Sequence, residues 1–395
     1  MTPAARLSAA IEILDLYLEG TALEKALTNW ARRSRFAGSK DRAAIRDIVF
    51  DCVRRRNSLA ERGGRLSGRG LVLGWTADTH GSDATGAFFD GVGHAPEPLS
   101  QDECALLSED YAPRSDASRF DMPEWLIARV RASYGAQAAE VADALRKRAP
   151  VFLRVNLKKT DRAGAADMLR EDGIETRSHA EVETALEVVT NPRRIASARA
   201  FLNGYVELQD ASSQAACVAL PSADRVLDYC AGGGGKILAY AALHEGTFFA
   251  HDAHAQRLKD LPARASRAGV AVTVLNPKSL VEQRLFDLVI ADVPCSGSGT
   301  WRRAPEGKWA LTPQKLQDLT SLQSEILDQA AACVATGGCL AYMTCSGLQC
   351  ENEDQVVAFQ KRNARFVVTA QKRFSPGQRG DGFFFAHLTL GQPAI

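Results

Sequence analysis

From residue 225 onward, short apolar runs alternate with helical stretches, and this rhythm constrains the fold more than any other feature of the chain. Val226-Leu227-Asp228 reads as a strand, followed by a glycine loop and a helix. Phe248-Phe249-Ala250 leads to Asp252, and Val272–Leu275 follows a further helix. Phe286–Ala291 ends at Asp292, and Gly338–Thr344 ends at Cys345. Thr312-Pro313 caps a helix expected to set Leu319, Leu322, Ile326, Ala330 and Val334 on one face. Strands separated in this way by helices form a parallel sheet covered on both faces, a doubly wound α/β fold. Such sheets bind ligands beyond the carboxyl ends of their strands. The residues that close these strands are therefore the first candidates for chemistry.

The first strand and its helix are joined by Asp228-Tyr229-Cys230-Ala231-Gly232-Gly233-Gly234-Gly235-Lys236. Glycines let a backbone approach a ligand closely and present its N–H groups. A phosphate-binding P-loop needs Gly at 230 and Ser or Thr at 237, where Cys230 and Ile237 stand. A dinucleotide fingerprint begun at Gly232 or Gly233 needs Gly at 237 or 238, where Ile237 and Leu238 stand. Asp252 closes the second strand, about 20 residues on, where a carboxylate accepts the hydroxyls of a ribose. A ribose without a pyrophosphate cradle points to S-adenosyl-methionine. A tight turn with a helix cap at Asp252 is the alternative.

Cys295 and Cys345 each follow an apolar run, so both thiols fall at the carboxyl ends of strands. A thiol there, outside the core, is a candidate nucleophile. Cys217, Cys333 and Cys339 lie among Ala, Val and Leu and read as small buried hydrophobes. The nine cysteines include no Cys-x-x-Cys pair, so reduced thiols and no metal site are expected.

The rest of the chain divides by composition. Residues 1–148 read as an N-terminal helical domain, with Leu7, Ala10, Ile11, Leu14, Tyr17 and Leu18 at helical spacing. Between residues 31 and 56 there are nine basic and three acidic residues, which suits an RNA backbone or a solvated helix face. Residues 149–210 read as a small α+β module and residues 211–395 as the doubly wound domain. A net charge of +1 announces no nucleic-acid partner by itself. The chain shows neither a signal-peptide pattern at residue 1 nor an apolar run of membrane-spanning length, so a cytoplasmic protein without membrane association is expected.

Three segments, Cys230–Lys236, Asp292–Trp309 and Tyr342–Glu353, resemble the Sun/Fmu (RsmB-like) family of RNA cytosine-5 methyltransferases. Gln209–Gln214 and Asp381–Phe384 support the resemblance, which covers residues 151–390. Residues 5–59 resemble that family's NusB-like extension. The resemblance implies a Rossmann-like methyltransferase sheet behind an RRM-like module, acting with S-adenosyl-methionine. The implied partner is RNA, specifically small-subunit ribosomal RNA or a ribosomal particle, met by a monomer. A transfer-RNA enzyme, or an inactive RNA-binding factor on the same scaffold, is the alternative.

The resemblance further implies that Cys345 is the nucleophile, that Cys295 assists product release and that Asp292 lies beside the base. Carbon 5 of cytosine is a poor nucleophile until a thiolate adds to carbon 6, and the thiol must later leave. The implied cofactor residues are Cys230, Ala231, Gly232, Gly233, Gly234, Gly235, Lys236, Asp252, Asn276 and Asp292. Lys236, Arg302, Arg303 and Lys308 are expected to meet RNA phosphates, with salt bridges as the alternative for the last three. Trp301 is a candidate for base stacking and Trp309 for packing. The chain departs from the family where Gly232 and Gly233 replace Ala and Pro, and where Asn276 stands near the place of an acidic residue.

Overall fold

The computed structural model describes residues 1–108 and 110–392. The chain divides into two compact units, one of Met1–Arg148 with Trp301–Ala310, the other of Ala149–Thr300 with Leu311–Ile395.

The larger unit holds two sheets. β1 (Val151–Val155), β2 (Thr176–Ser178), β3 (Ala185–Val188) and β4 (Val206–Leu208) form an antiparallel sheet in the order β2-β3-β1-β4. The second sheet is built from β5 (Arg225–Asp228), β6 (Thr247–His251), β7 (Val272–Leu275), β8 (Phe286–Asp292), β9 (Val334–Thr344), β10 (Phe366–Phe374) and β11 (Phe383–Leu390), in the order β10-β11-β9-β8-β5-β6-β7. Strands β5 to β9 run parallel, as the alternation predicts, while β10 and β11 add an antiparallel hairpin that it did not show.

The apolar runs are continuous because both faces are covered. Leu227, Val289 and Leu340 pack on one side of the sheet. Val226, Leu288, Ile290 and Ala341 pack on the other, as period-two geometry requires. Helix Pro313–Ala331 is capped by Thr312 as expected, but its buried face is Leu316, Gln323, Ile326, Leu327 and Ala330. Leu322 is 41% exposed and Val334 already belongs to β9, so the helical stripe is rotated from the expected one. The strand order reverses between β5 and β8, and that switch point places the loops after these strands on one crevice.

The smaller unit is helical. Helices Pro3–Leu18, Leu23–Arg33, Ser39–Arg54, Arg56–Arg62 and Gly68–His80 bury Ile13, Leu14, Trp30, Val49 and Leu71. Part of the basic stretch is spent internally, since Arg33 pairs with Glu12 and Arg46 with Glu24. Among the described residues, no helix of either unit is long and apolar enough to cross a membrane.

Residues Trp301–Ala310 pack into this helical unit, and they correct two expectations. A helix leaves its last carbonyls unpaired. At the end of Ser39–Arg54, the indole of Trp309 donates to the Val53 carbonyl at 2.7 Å, and the Lys308 ammonium donates to that of Arg54 at 3.0 Å. Arg54 in turn donates to the Arg302 carbonyl at 2.7 Å. Lys308 and Arg302 are only 1% and 3% exposed, which withdraws them from RNA phosphates. Trp301 is buried as well, so it offers no face to a base, whereas Arg303 stays partly exposed.

Burial pulls the Lys308 ammonium down to about 7, against the attraction of Asp121. A lysine depressed in the fold leaves the unfolded chain binding more protons between pH 7 and the ordinary lysine range. Unfolding free energy of this unit should therefore rise with pH there, by roughly 1 kcal/mol per unit. Denaturant titrations from pH 7 to 9.5 should show that slope in the native chain and its loss in Lys308→Met.

Candidate active site

The glycine loop leaves β5 at Asp228, which is buried to 1% exposure. One carboxylate oxygen, Oδ2, accepts the Ile237 N–H at 3.2 Å, and Oδ1 has no hydrogen-bond partner among the described residues. Burial, then the charge of Asp292, pushes this carboxyl up to about 7. Across the crevice, Lys236 Nζ lies 2.7 Å from Asp292 Oδ2. Burial disfavours that ammonium, but the attraction of Asp292 wins and raises it above the ordinary lysine value.

The loop is more ordered than its four glycines suggest. Gly232 sits at φ +49° with open space where a side chain would be, and Gly234 at φ +82° lies against Leu261. Asp252 accepts the Gly232 N–H at 3.0 Å and the His254 N–H at 2.9 Å. Arg264 donates to the Gly233 carbonyl at 2.5 Å, and Arg154, from β1, donates to the Gly235 carbonyl at 3.0 Å. The carbonyls are thus held from outside. Cys230 and Ala231 form the same turn, and burial pushes the Cys230 thiol up, away from nucleophilic use. An orphaned buried carboxylate oxygen needs a donor, and an open glycine surface needs a ligand against it. Both fit a cofactor carrying an ammonium group and a ribose. Asn276 departs from its expected role, because it is exposed and caps helix Pro277–Val281, its oxygen accepting the Ser279 N–H at 2.8 Å.

The two thiols converge. Cys295 Sγ and Cys345 Sγ lie 3.3 Å apart. The hydrogen bond with Cys345, and then burial, raise the Cys295 thiol well above its ordinary value. The loops that carry them are stitched together: the Gly299 N–H donates to the Cys345 carbonyl at 3.0 Å, and the Gly347 N–H donates to Ser298 Oγ at 2.8 Å. A fully buried carboxylate, Glu351, bonds to both loops. Asp228 and Glu351 lie within the motif segments, but neither stands out there as a site residue. The strand-end position of Asp228 was a usable signal; Glu351 carried none.

The family model described as 16S rRNA methyltransferase RsmB/F matches residues 215–389, and an RsmF/B-like ferredoxin-like domain matches residues 122–195. The chain is 34% identical over 292 residues to ribosomal RNA small subunit methyltransferase B of Salmonella newport (strain SL254), covering 69% of this chain and 67% of that relative. It is 33% identical over 289 residues to the protein of that name from Serratia proteamaculans (strain 568), with the same coverage. Among solved structures, that of PH0851 superposes with a TM-score of 0.76 at 24% identity over 98% of this chain and 99% of its own. A methyltransferase homologue from Pyrococcus horikoshii gives 0.60 at 26% identity over 69% and 97%. NSun6 from Pyrococcus horikoshii, in complex with the S-adenosyl-methionine analogue SFG, gives 0.59 at 18% identity over 69% and 99%. The chain belongs to the 16S rRNA methyltransferase RsmB/F family, whose methyl donor is S-adenosyl-methionine.

Proposed function

We propose that this enzyme transfers a methyl group to carbon 5 of a cytosine in small-subunit ribosomal RNA, through a covalent bond between Cys345 and the base. The observation that carries the proposal is the pair of sulfurs 3.3 Å apart, delivered by the loops that follow two neighbouring parallel strands. Two thiols suit a reaction with two distinct demands, addition and release. The Cys345 sulfur adds as thiolate to carbon 6 of a cytosine swung out of its stack. The cofactor supplies an electrophilic methyl group, which the activated carbon 5 accepts. Solvent takes the carbon-5 proton, the electron pair of that C–H bond restores the 5,6 double bond as the bond from sulfur to carbon 6 breaks, and Cys345 departs as thiolate. Cys295, held protonated by its bond to Cys345 and by burial, is the thiol that assists this release.

The other residues bind and orient. Asp292, fixed by Lys236, accepts from the amino edge of cytosine, which is what a pocket reads once the base is extruded. Asp228 Oδ1 would hold the ammonium of S-adenosyl-methionine and Asp252 its ribose, with the backbone of Gly232 to Gly235 leaving it room. Arg303, which is partly exposed, is the candidate for RNA phosphate. The names of the curated relatives support ribosomal RNA as the substrate class.

Cys345→Ala should lower methyl transfer to ribosomal RNA by at least about 10³-fold, measured with radiolabelled cofactor. Cys295→Ala should accumulate a protein–RNA adduct that survives a denaturing gel. Wild-type activity in both variants with no adduct would overturn the mechanism. Asp228 offers a separate test. Its carboxyl must be ionised to hold an ammonium, so affinity for S-adenosyl-methionine should strengthen as pH rises through about 7. In calorimetry, Asp228→Asn should weaken binding by roughly 10- to 100-fold and remove that pH dependence.

A further inference from the structure

Glu351 makes all its side-chain bonds to the immediate neighbourhood of the two thiols. Oε1 accepts the Ser296 N–H at 2.8 Å and the Gln323 amide at 3.0 Å. Oε2 accepts the Ser296 hydroxyl at 2.5 Å and the Ser346 hydroxyl at 2.5 Å. Ser296 follows Cys295 and Ser346 follows Cys345. The same Gln323 amide also donates to the Pro294 carbonyl at 2.9 Å, so Cys295 is gripped on both sides. Four donors fill the acceptor sites of one carboxylate. Among the described residues, no Lys, Arg or His pairs with it, although its side chain is fully buried. A charge buried without a cation costs stability unless neutral donors hold it.

We infer that Glu351 is a positioning residue: by binding the serine after each cysteine, it sets the separation and orientation of the two sulfurs. The inference rests on the two-thiol mechanism proposed above. Glu351 touches no reacting atom and positions the sulfurs through Ser296 and Ser346. Its backbone is anchored independently, with the Tyr342 hydroxyl donating to its carbonyl at 2.5 Å. Asn352 beside it braces the second thiol loop, accepting from the Thr344 hydroxyl at 2.6 Å and donating to the Ser346 carbonyl at 2.9 Å. A second consequence follows from the uncompensated charge. Together with Cys345, Glu351 raises the Cys295 thiol, so it biases ionisation away from Cys295.

The test compares Glu351→Gln and Glu351→Ala with the native chain, with Cys345→Ala in parallel. A displacement of about 1 Å at a reacting group costs roughly 100-fold. Single-turnover methyl transfer in Glu351→Ala should fall by that factor, with the calorimetric dissociation constant for S-adenosyl-methionine unchanged within about threefold. Glu351→Gln keeps the shape and some of the bonds, so it should recover at least about tenfold of that loss. It removes the charge, however, so the pH midpoint of Cys295 alkylation by iodoacetamide, read by mass spectrometry, should fall. A purely structural role would leave that midpoint unmoved. If Glu351→Ala fails to bind cofactor, Glu351→Gln alone decides through the alkylation midpoint. Native rates and native alkylation in a cofactor-binding variant, with Cys345→Ala inactive, would overturn the positioning role and spare the mechanism. An active Cys345→Ala would overturn both.

Discussion

The site depends on the register between β8 and β9. These parallel strands pair Asp292 with Met343, and the Val293 N–H continues the ladder to the Met343 carbonyl at 3.0 Å. Cys295 then lies three residues beyond Asp292, and Cys345 two beyond Met343. In a strand successive side chains point to opposite faces, so a slip of one residue would turn Met343 and Tyr342 inside out. Both are fully buried, Met343 in the core on one face and Tyr342 in the core on the other. The packing of the sheet thereby fixes where the two loops emerge, and the meeting of the sulfurs is a consequence of hydrophobic register.

The carboxylates beyond the strand ends are treated in opposite ways. Asp292 has Lys236, and the pair satisfies itself at 2.7 Å. Asp228, one strand over, keeps an oxygen with no partner and is pushed toward its neutral form. That oxygen is one of several buried polar atoms left open among the described residues, and it lies at the switch point where doubly wound sheets receive ligands. Glu351 is the third case, a charge stabilised by neutral donors alone. Each carboxylate serves a different task because its environment differs, as perturbed groups at functional sites commonly do.

How much of this was legible follows from where each residue's environment is decided. β5 to β9 were readable because their both-sided burial is local in sequence, as near-continuous apolar runs. β10 was not, because it is an edge strand carrying Gln371, Lys372 and Arg373, and its pattern resembles a solvated segment. The two thiols were readable from their place after strands. Glu351 was not, because Glu351-Asn352-Glu353 looks like an exposed polar stretch, and only the serines brought by the other loop make it an interior group. Arg302 and Lys308 were misplaced for the converse reason. They sit in a basic segment that suits RNA, yet burial withdraws Arg302, and the carbonyl of Arg54 at a distant helix end claims Lys308.

The glycine loop shows how tertiary contacts reverse a local inference. Gly232 and Gly233 stand where the family carries Ala and Pro, and glycine loses more backbone freedom on ordering than any other residue. By itself this would weaken a binding loop. Here the ordering is supplied from outside: Asp252 holds the Gly232 N–H, Arg264 the Gly233 carbonyl and Arg154 the Gly235 carbonyl. Burial, helped by the charge of Arg264, lowers the Arg154 guanidinium to about 10, so this contact is made at a desolvation cost. Glu207 steadies Arg264 in turn, at 3.4 Å. Arg154 lies on β1 and Glu207 on β4, so the small antiparallel sheet acts as the outer wall of the cofactor loop. A chain that spends two arginines on the carbonyl side of a loop leaves its N–H side shaped in advance, and the glycines then contribute access to the ligand without the looseness their composition implies.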